Sequence, residues 1–109
     1  MSGSGGGGGP AYDAPVSNCA SLSKVTTLNS PVPSVVSTLS VNDELLVRVD
    51  PAGSSRVEAH TRAGAVAGSI TFSGIGALIK CIEDGWEFIA IVQKIAGGDV
   101  TLEVRIGPH

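Results

Sequence analysis

The stretch from Val57 to Ile106 constrains the fold more than any other part of this chain. It reads as two strands, a helix and two further strands. Apolar residues at helical spacing predict the helix over residues 74–84. A long apolar strand, Trp86–Ile95, then reaches a turn at Ala96–Asp99, and the last strand alternates apolar with polar residues. This order predicts a small, mostly β domain.

Shorter strands complete the predicted sheet. Segments 22–28, 35–39 and 65–72 are short and are rich in β-branched or alternating residues. Leu45–Val49 and Val57–Thr61 flank a turn of Pro, Gly and Ser, which predicts an antiparallel hairpin. The sequence therefore predicts a mainly β fold, a small OB- or SH3-like barrel of five to seven antiparallel strands with one α-helix. Closure into a barrel is favoured because it removes exposed strand edges.

Several residues of this run carry predictions of their own. Ser73 should cap the helix N-terminus, Gly85 should end the helix in a left-handed conformation, and Gly68 should mark a bulge or a close backbone approach. Both faces of the strand after Gly85 are apolar, which predicts a central strand. One face should carry Trp86, Phe88, Ala90 and Val92, and the other Ile89, Ile91 and Ile95. We interpret Trp86 and Phe88 as core residues rather than as a base-stacking platform.

Length and composition divide the chain in two. Its 109 residues favour one domain, which we place at residues 16–109. Residues 1–15 precede this domain, and six of the 15 glycines fall within the first nine positions. Such a segment cannot bury apolar surface, so we expect a flexible Gly/Ser-rich tail or linker.

Charge and hydropathy narrow the range of partners. The net charge is −3 at pH 7, so overall electrostatics do not recruit nucleic acid or an anionic membrane. No apolar stretch is long enough to cross a bilayer, and no secretion signal is visible. We therefore expect a cytoplasmic protein that does not associate with membranes.

Two cysteines, Cys19 and Cys81, lie far apart in the sequence. Structural zinc sites use closely spaced pairs of ligands, so this pattern predicts no metal, and no cofactor is predicted either. Two interpretations remain open. The cysteines form a disulfide that ties the N-terminal segment to the helix, or they are free thiols with Cys81 as a small, partly buried residue.

The candidate binding site consists of Arg48, Arg56, His60 and Arg62. Pairing within the predicted hairpin places these side chains on one face, where guanidinium groups can bind phosphate through paired hydrogen bonds. Glu58 lies among them and can neutralise one positive charge. The alternative interpretation is an ordinary solvated face of a hairpin.

No catalytic arrangement can be assembled from the sequence. His60 has no second histidine nearby, and Ser54 and Ser55 sit in a plain turn rather than in a strained one. The acidic groups at Asn42–Glu44 and Glu83–Asp84 have neutral explanations as a solvated turn and a helix end. We therefore predict that the protein is not an enzyme.

Residues 39–105 resemble the HIRAN domain, a small β-barrel module. The resemblance lies in segments 42–45 and 48–51 around a strand, 64–70 after a second strand, 78–79 on the helix, and Gly85 before the next strand. It implies an OB-like barrel that binds DNA ends. The family's Asn-Pro-x-Asp segment is replaced here by residues 52–55, so the resemblance transfers no binding residue.

Three functions follow from these observations. We predict a non-enzymatic binding or adaptor module with a protein partner, contacted through the face of Arg48, Arg56, His60 and Arg62. The first alternative is a homo-oligomeric structural subunit that associates through Val35–Leu39 or through the last strand. The second alternative is nucleic-acid binding of the HIRAN or OB-like kind.

Overall fold

The structure, a computed structural model, describes residues 18–51 and 56–107. The tail predicted for residues 1–15 lies outside these ranges, as do Ser54, Ser55 and His109. A 3-10 turn spans Cys19–Ser21, and the helices are α1 (Pro33–Val36) and α2 (Ile75–Glu83). The strands are β1 (Ser23–Thr27), β2 (Glu44–Val49), β3 (Val57–His60), β4 (Val66–Ile70), β5 (Phe88–Ala96) and β6 (Asp99–Ile106).

The six strands form one antiparallel sheet in the order β1-β6-β5-β2-β3-β4. The sheet curls into a half-barrel, and a single bridge beyond the end of β1 joins its two edge strands. There Asn29 and Ser69 exchange backbone hydrogen bonds of 2.8 Å in both directions. The predicted barrel-like, mainly β fold is confirmed, and α2 is the predicted helix.

Gly68 lies where the sheet edges meet. A β-bulge separates the pair Ala59–Gly68 from the pair His60–Val66. A Cβ atom at position 68 would lie 2.7 Å from the Asn29 carbonyl oxygen and 2.7 Å from Leu28 Cγ. The prediction that this glycine marks a bulge or a close approach is confirmed.

The core fills the concave side of the sheet, as the alternation of the strands predicts. Phe88, Ala90 and Val92 of β5 face Val104 and Leu102 of β6, and all five side chains are buried. Leu45, Val47, Val57 and Ala59 extend this core across the predicted β2–β3 hairpin, which is confirmed. A mostly aliphatic core therefore holds the domain together.

The prediction for Ile95 was wrong because β5 contains a bulge. Its register against β6 shifts between Val92 and Lys94, so one residue, Gln93, is inserted. An inserted residue reverses the side-chain alternation beyond it. Ile95 therefore pairs with Val100 and packs against the core, whereas Ile89 and Ile91 stay on the convex face.

The predicted strand at Val35–Leu39 was also wrong, because a short helix, α1, occupies this region. Pro33 is in its first turn, where the fixed φ of proline and its missing N–H fit a helix start. The Val32 N–H donates to the Ala67 carbonyl, and this bond anchors the helix start to β4. Neither segment proposed for self-association is a sheet edge, since β6 has neighbours on both sides.

The sequence predicted the C-terminal end of α2 correctly but not the residue that caps its N-terminus. Ser73 does not cap the helix; Gly74, with φ of 91°, is the N-cap residue instead. At the other end Gly85, with φ of 101°, donates to Ile82, and the Trp86 N–H donates to the Cys81 carbonyl. This pair of bonds is a Schellman motif, so the predicted role of Gly85 is confirmed.

A disulfide joins Cys19 to Cys81, with the two Cα atoms 5.7 Å apart. The free-thiol interpretation was therefore wrong. The bond ties the 3-10 turn before β1 to the last turn of α2, and both cysteines are fully buried in the core. In the described part of the chain, neither helix has the length and apolar character needed to cross a membrane.

Candidate functional site

A groove of about 560 Å³ opens where strands β2 and β5 separate. Their pairing ends at Leu46 and Ile89, whereas β2 continues to Val49 and stays paired with β3. Residues 85–89 form the other wall. This segment leaves the C-terminus of α2 through the Schellman motif. The groove therefore lies between a strand and a loop at one end of the sheet.

The strand wall of the groove exposes backbone hydrogen-bonding groups. The Asp50 N–H donates to the Arg56 carbonyl at 2.7 Å, so the backbone N–H and carbonyl groups of Asp50 and Arg48 point towards β3. Alternate residues of a strand bond to opposite sides, so the backbone of Val49 points into the groove. On the groove side, the N–H and the carbonyl of Val49 form no hydrogen bond with any residue of the described ranges 18–51 and 56–107.

Trp86 lies on the loop wall of this groove. Its side chain is 41% exposed, whereas Phe88, two residues further on, is buried. The prediction of a core role holds for Phe88 and was wrong for Trp86. The reason is that β5 begins only at Phe88, so Trp86 belongs to the Schellman turn and strand alternation does not apply to it.

Glu58 contacts two members of the predicted polar face. Its carboxylate lies 3.0 Å from His60 Nε2 and 3.6 Å from Arg56 Nε. Both Glu58 and His60 are half-buried. His60 therefore contacts a carboxylate and is half-buried, whereas the solvated-face interpretation of the sequence expected an exposed side chain.

Arg62 and Arg48 differ in their partners. Arg62 Nη2 donates to Glu44 Oε1 at 2.8 Å across the sheet end. Arg48 is exposed and makes no ion pair with any residue in the described ranges. Both arginines line the groove, and Glu87 lies there as well. Arg48 is thus the cation of the predicted set that is left to bind a ligand.

The remaining polar clusters have structural partners. Asp43 Oδ2 accepts a hydrogen bond of 2.8 Å from the Ser40 N–H, which closes the turn before β2. Asp84 pairs with Lys80 one helical turn earlier, at 3.5 Å. Within the described ranges, no three His, Cys, Asp or Glu side chains come together as metal ligands would.

Sequence reasoning identified Arg48 but missed the rest of the groove. The separation of β2 from β5 depends on where two strands distant in sequence stop pairing, which no local pattern records. The position of Trp86 did carry a signal. A residue that directly follows a C′ glycine belongs to the helix-terminating turn, and a strand prediction should start after it.

Comparison with known proteins supports the fold alone. No family model matches the chain, and no curated protein does. A crystal structure of a protein from Lactobacillus plantarum, determined by the Northeast Structural Genomics Consortium, is similar to this chain with a TM-score of 0.65. The two sequences are 14% identical, and the match covers 76% of this chain and 93% of that one.

Proposed function

We propose that this protein is a non-enzymatic binding or adaptor module whose ligand site is the groove between β2 and the Gly85–Ile89 loop. The observation that carries this proposal is that Arg48, which makes no ion pair within the described residues, lines the same groove as the exposed Trp86. A guanidinium and an indole together offer charge-assisted hydrogen bonds and a large apolar contact, the combination that dominates protein interfaces.

A protein segment fits this site better than a nucleic acid does. The chain carries a net charge of −3, and Glu87 lines the same groove as Arg48. Glu44 and Glu58 further pair with the neighbouring Arg62 and Arg56. A polyanion with regularly spaced phosphates would therefore meet carboxylates, whereas a peptide can place a single acidic residue beside Arg48.

Peptide selection on the full chain tests the proposal. A random peptide library displayed on phage should yield peptides that bind the native chain. Replacing Arg48 with Ser should weaken their binding at least about tenfold, because a charge-assisted hydrogen bond is lost. The same replacement at Arg56 should have a smaller effect, since that side chain pairs with Glu58. Titration of fluorescently labelled peptides measures each affinity.

Lys24→Ser is the matched control for Arg48→Ser. Lys24 is exposed on β1, makes no ion pair within the described ranges and does not line the groove. Its loss removes the same charge without touching the site. Failure to select any peptide, or equal weakening by both variants, would contradict the proposal. Tight binding of single-stranded DNA that falls steeply with added salt would instead favour the HIRAN-like alternative.

The disulfide indicates the kind of cellular compartment in which the protein resides. Cys19–Cys81 is a buried cross-link, and such bonds persist in oxidising compartments but are rare in the reducing cytosol. The proposal therefore places the protein in an oxidising compartment rather than in the cytoplasm that the sequence alone suggested. Protein isolated from its cells under acid quench should resist thiol alkylation. Full alkylation of both cysteines before reduction would reject this location.

A further inference from the structure

We infer that the partner binds as an extended strand that pairs with the free edge of β2 at Val49 and places an acidic residue beside Arg48. This inference rests on the proposed function and specifies the conformation and chemistry of the ligand. Addition of a peptide strand to an exposed sheet edge is a recurring mode of recognition.

The backbone of β2 supplies the first argument. β2 keeps its strand conformation to Val49 because β3 pairs with it as far as Val57. On its other side, β2 is paired with β5 only as far as Leu46. The carbonyl and N–H of Val49 therefore face the groove without a partner in the described residues. An incoming strand can accept from that N–H and donate to that carbonyl, whereas a helical ligand cannot, since its own backbone groups are already bonded.

Side-chain alternation supplies the second argument. Val47 points to the core side, whereas Arg48 points to the convex face. A residue opposite Arg48 on the added strand shares that face, and its two neighbours point towards the side where Ile82 and Phe88 line the groove. The geometry thus favours an acidic residue flanked by apolar residues.

The charges around the groove limit the ligand further. Arg62 pairs with Glu44, so among the described residues that line the groove Arg48 is the one guanidinium without an ion pair. Glu87 on the opposite wall repels additional acidic residues. We therefore expect the selected peptides to share one Asp or Glu between β-branched or aromatic residues and to lack runs of acidic residues.

Amide exchange of the full chain tests this mode of binding. Saturation with a selected peptide should slow exchange of the Val49 amide at least about tenfold, because a free N–H becomes hydrogen-bonded. The Val25 amide on β1, away from the groove, is the control and should not change. N-methylation of the peptide at the amide that donates to the Val49 carbonyl should weaken binding about fivefold.

The outcomes separate this inference from the proposed function. A peptide that depends on Arg48 but leaves the Val49 amide unchanged would overturn strand addition and leave the proposed function standing. Slow exchange of the Val49 amide before any peptide is added would overturn the assignment to a partner. A part of this chain outside the described residues, or a second copy, would then fill the edge. Absence of any Arg48-dependent peptide would reject both proposals.

Discussion

Reduction of the Cys19–Cys81 disulfide is expected to lower the free energy of unfolding by roughly 4 kcal/mol. The bond closes a loop with a sequence separation of 62, so it removes much conformational entropy from the unfolded chain. It also joins the segment before β1 to α2, two elements that do not pair in the sheet. Urea unfolding with and without a reductant measures the loss as a shift of the midpoint.

The double variant Cys19→Ala, Cys81→Ala is the control for effects of the reductant. It should unfold near the midpoint of the reduced protein, and adding reductant should not change it further. Both cysteines are fully buried, so any gap between the two midpoints reports packing of the thiols rather than the cross-link. Equal stability of the oxidised and reduced proteins would contradict a structural role for this bond.

Gly68→Ala is expected to lower the free energy of unfolding by about 2 kcal/mol, the usual cost of overpacking a rigid site. The new Cβ would lie 2.7 Å from both the Asn29 carbonyl oxygen and Leu28 Cγ. One of these contacts is backbone and cannot rotate away, so the bridge between Asn29 and Ser69 must open or shift. Thermal or urea unfolding of the purified variant measures the loss.

Gly76→Ala is the matched control, with an effect of opposite sign. A Cβ at position 76 meets nothing within 4 Å, and the residue lies in α2. Alanine favours a helix over glycine by up to about 1 kcal/mol, so this variant should be slightly more stable than the native chain. If both alanines had the same effect, the close approach at Gly68 would not constrain the closure of the sheet.

Local sequence patterns predicted most of the elements because their causes are local. The alternation of residues 99–106, the apolar spacing of α2 and the Gly85 signal each depend on residues close in sequence. The failures have physical causes beyond such patterns. Pro33 started a helix where β-branched residues suggested a strand, and the inserted Gln93 turned Ile95 towards the core.

The candidate site shows the same division. The sequence identified Arg48, Arg56, His60 and Arg62 as a polar face, since strand alternation places them together. Glu58 lies two residues from both Arg56 and His60, and the sequence indicated that it can neutralise one positive charge. The sequence did not show the pair between Arg62 and Glu44, because that contact joins residues 18 positions apart and depends on strand register. Nor did it show that Arg48 makes no ion pair within the described residues and lines the same groove as Trp86.

The sequence by itself determined a small β domain with an aliphatic core, a helix before the last hairpin and a polar β2–β3 hairpin. These features follow from hydrophobic periodicity and turn residues, which act over a few positions. Only the tertiary structure decided that Cys19 meets Cys81, that the sheet edges meet at Asn29 and Ser69, and that β2 separates from β5 beyond Leu46. Each of these depends on how strands distant in sequence pair and curl, so the groove and its free strand edge arise from packing rather than from any local motif.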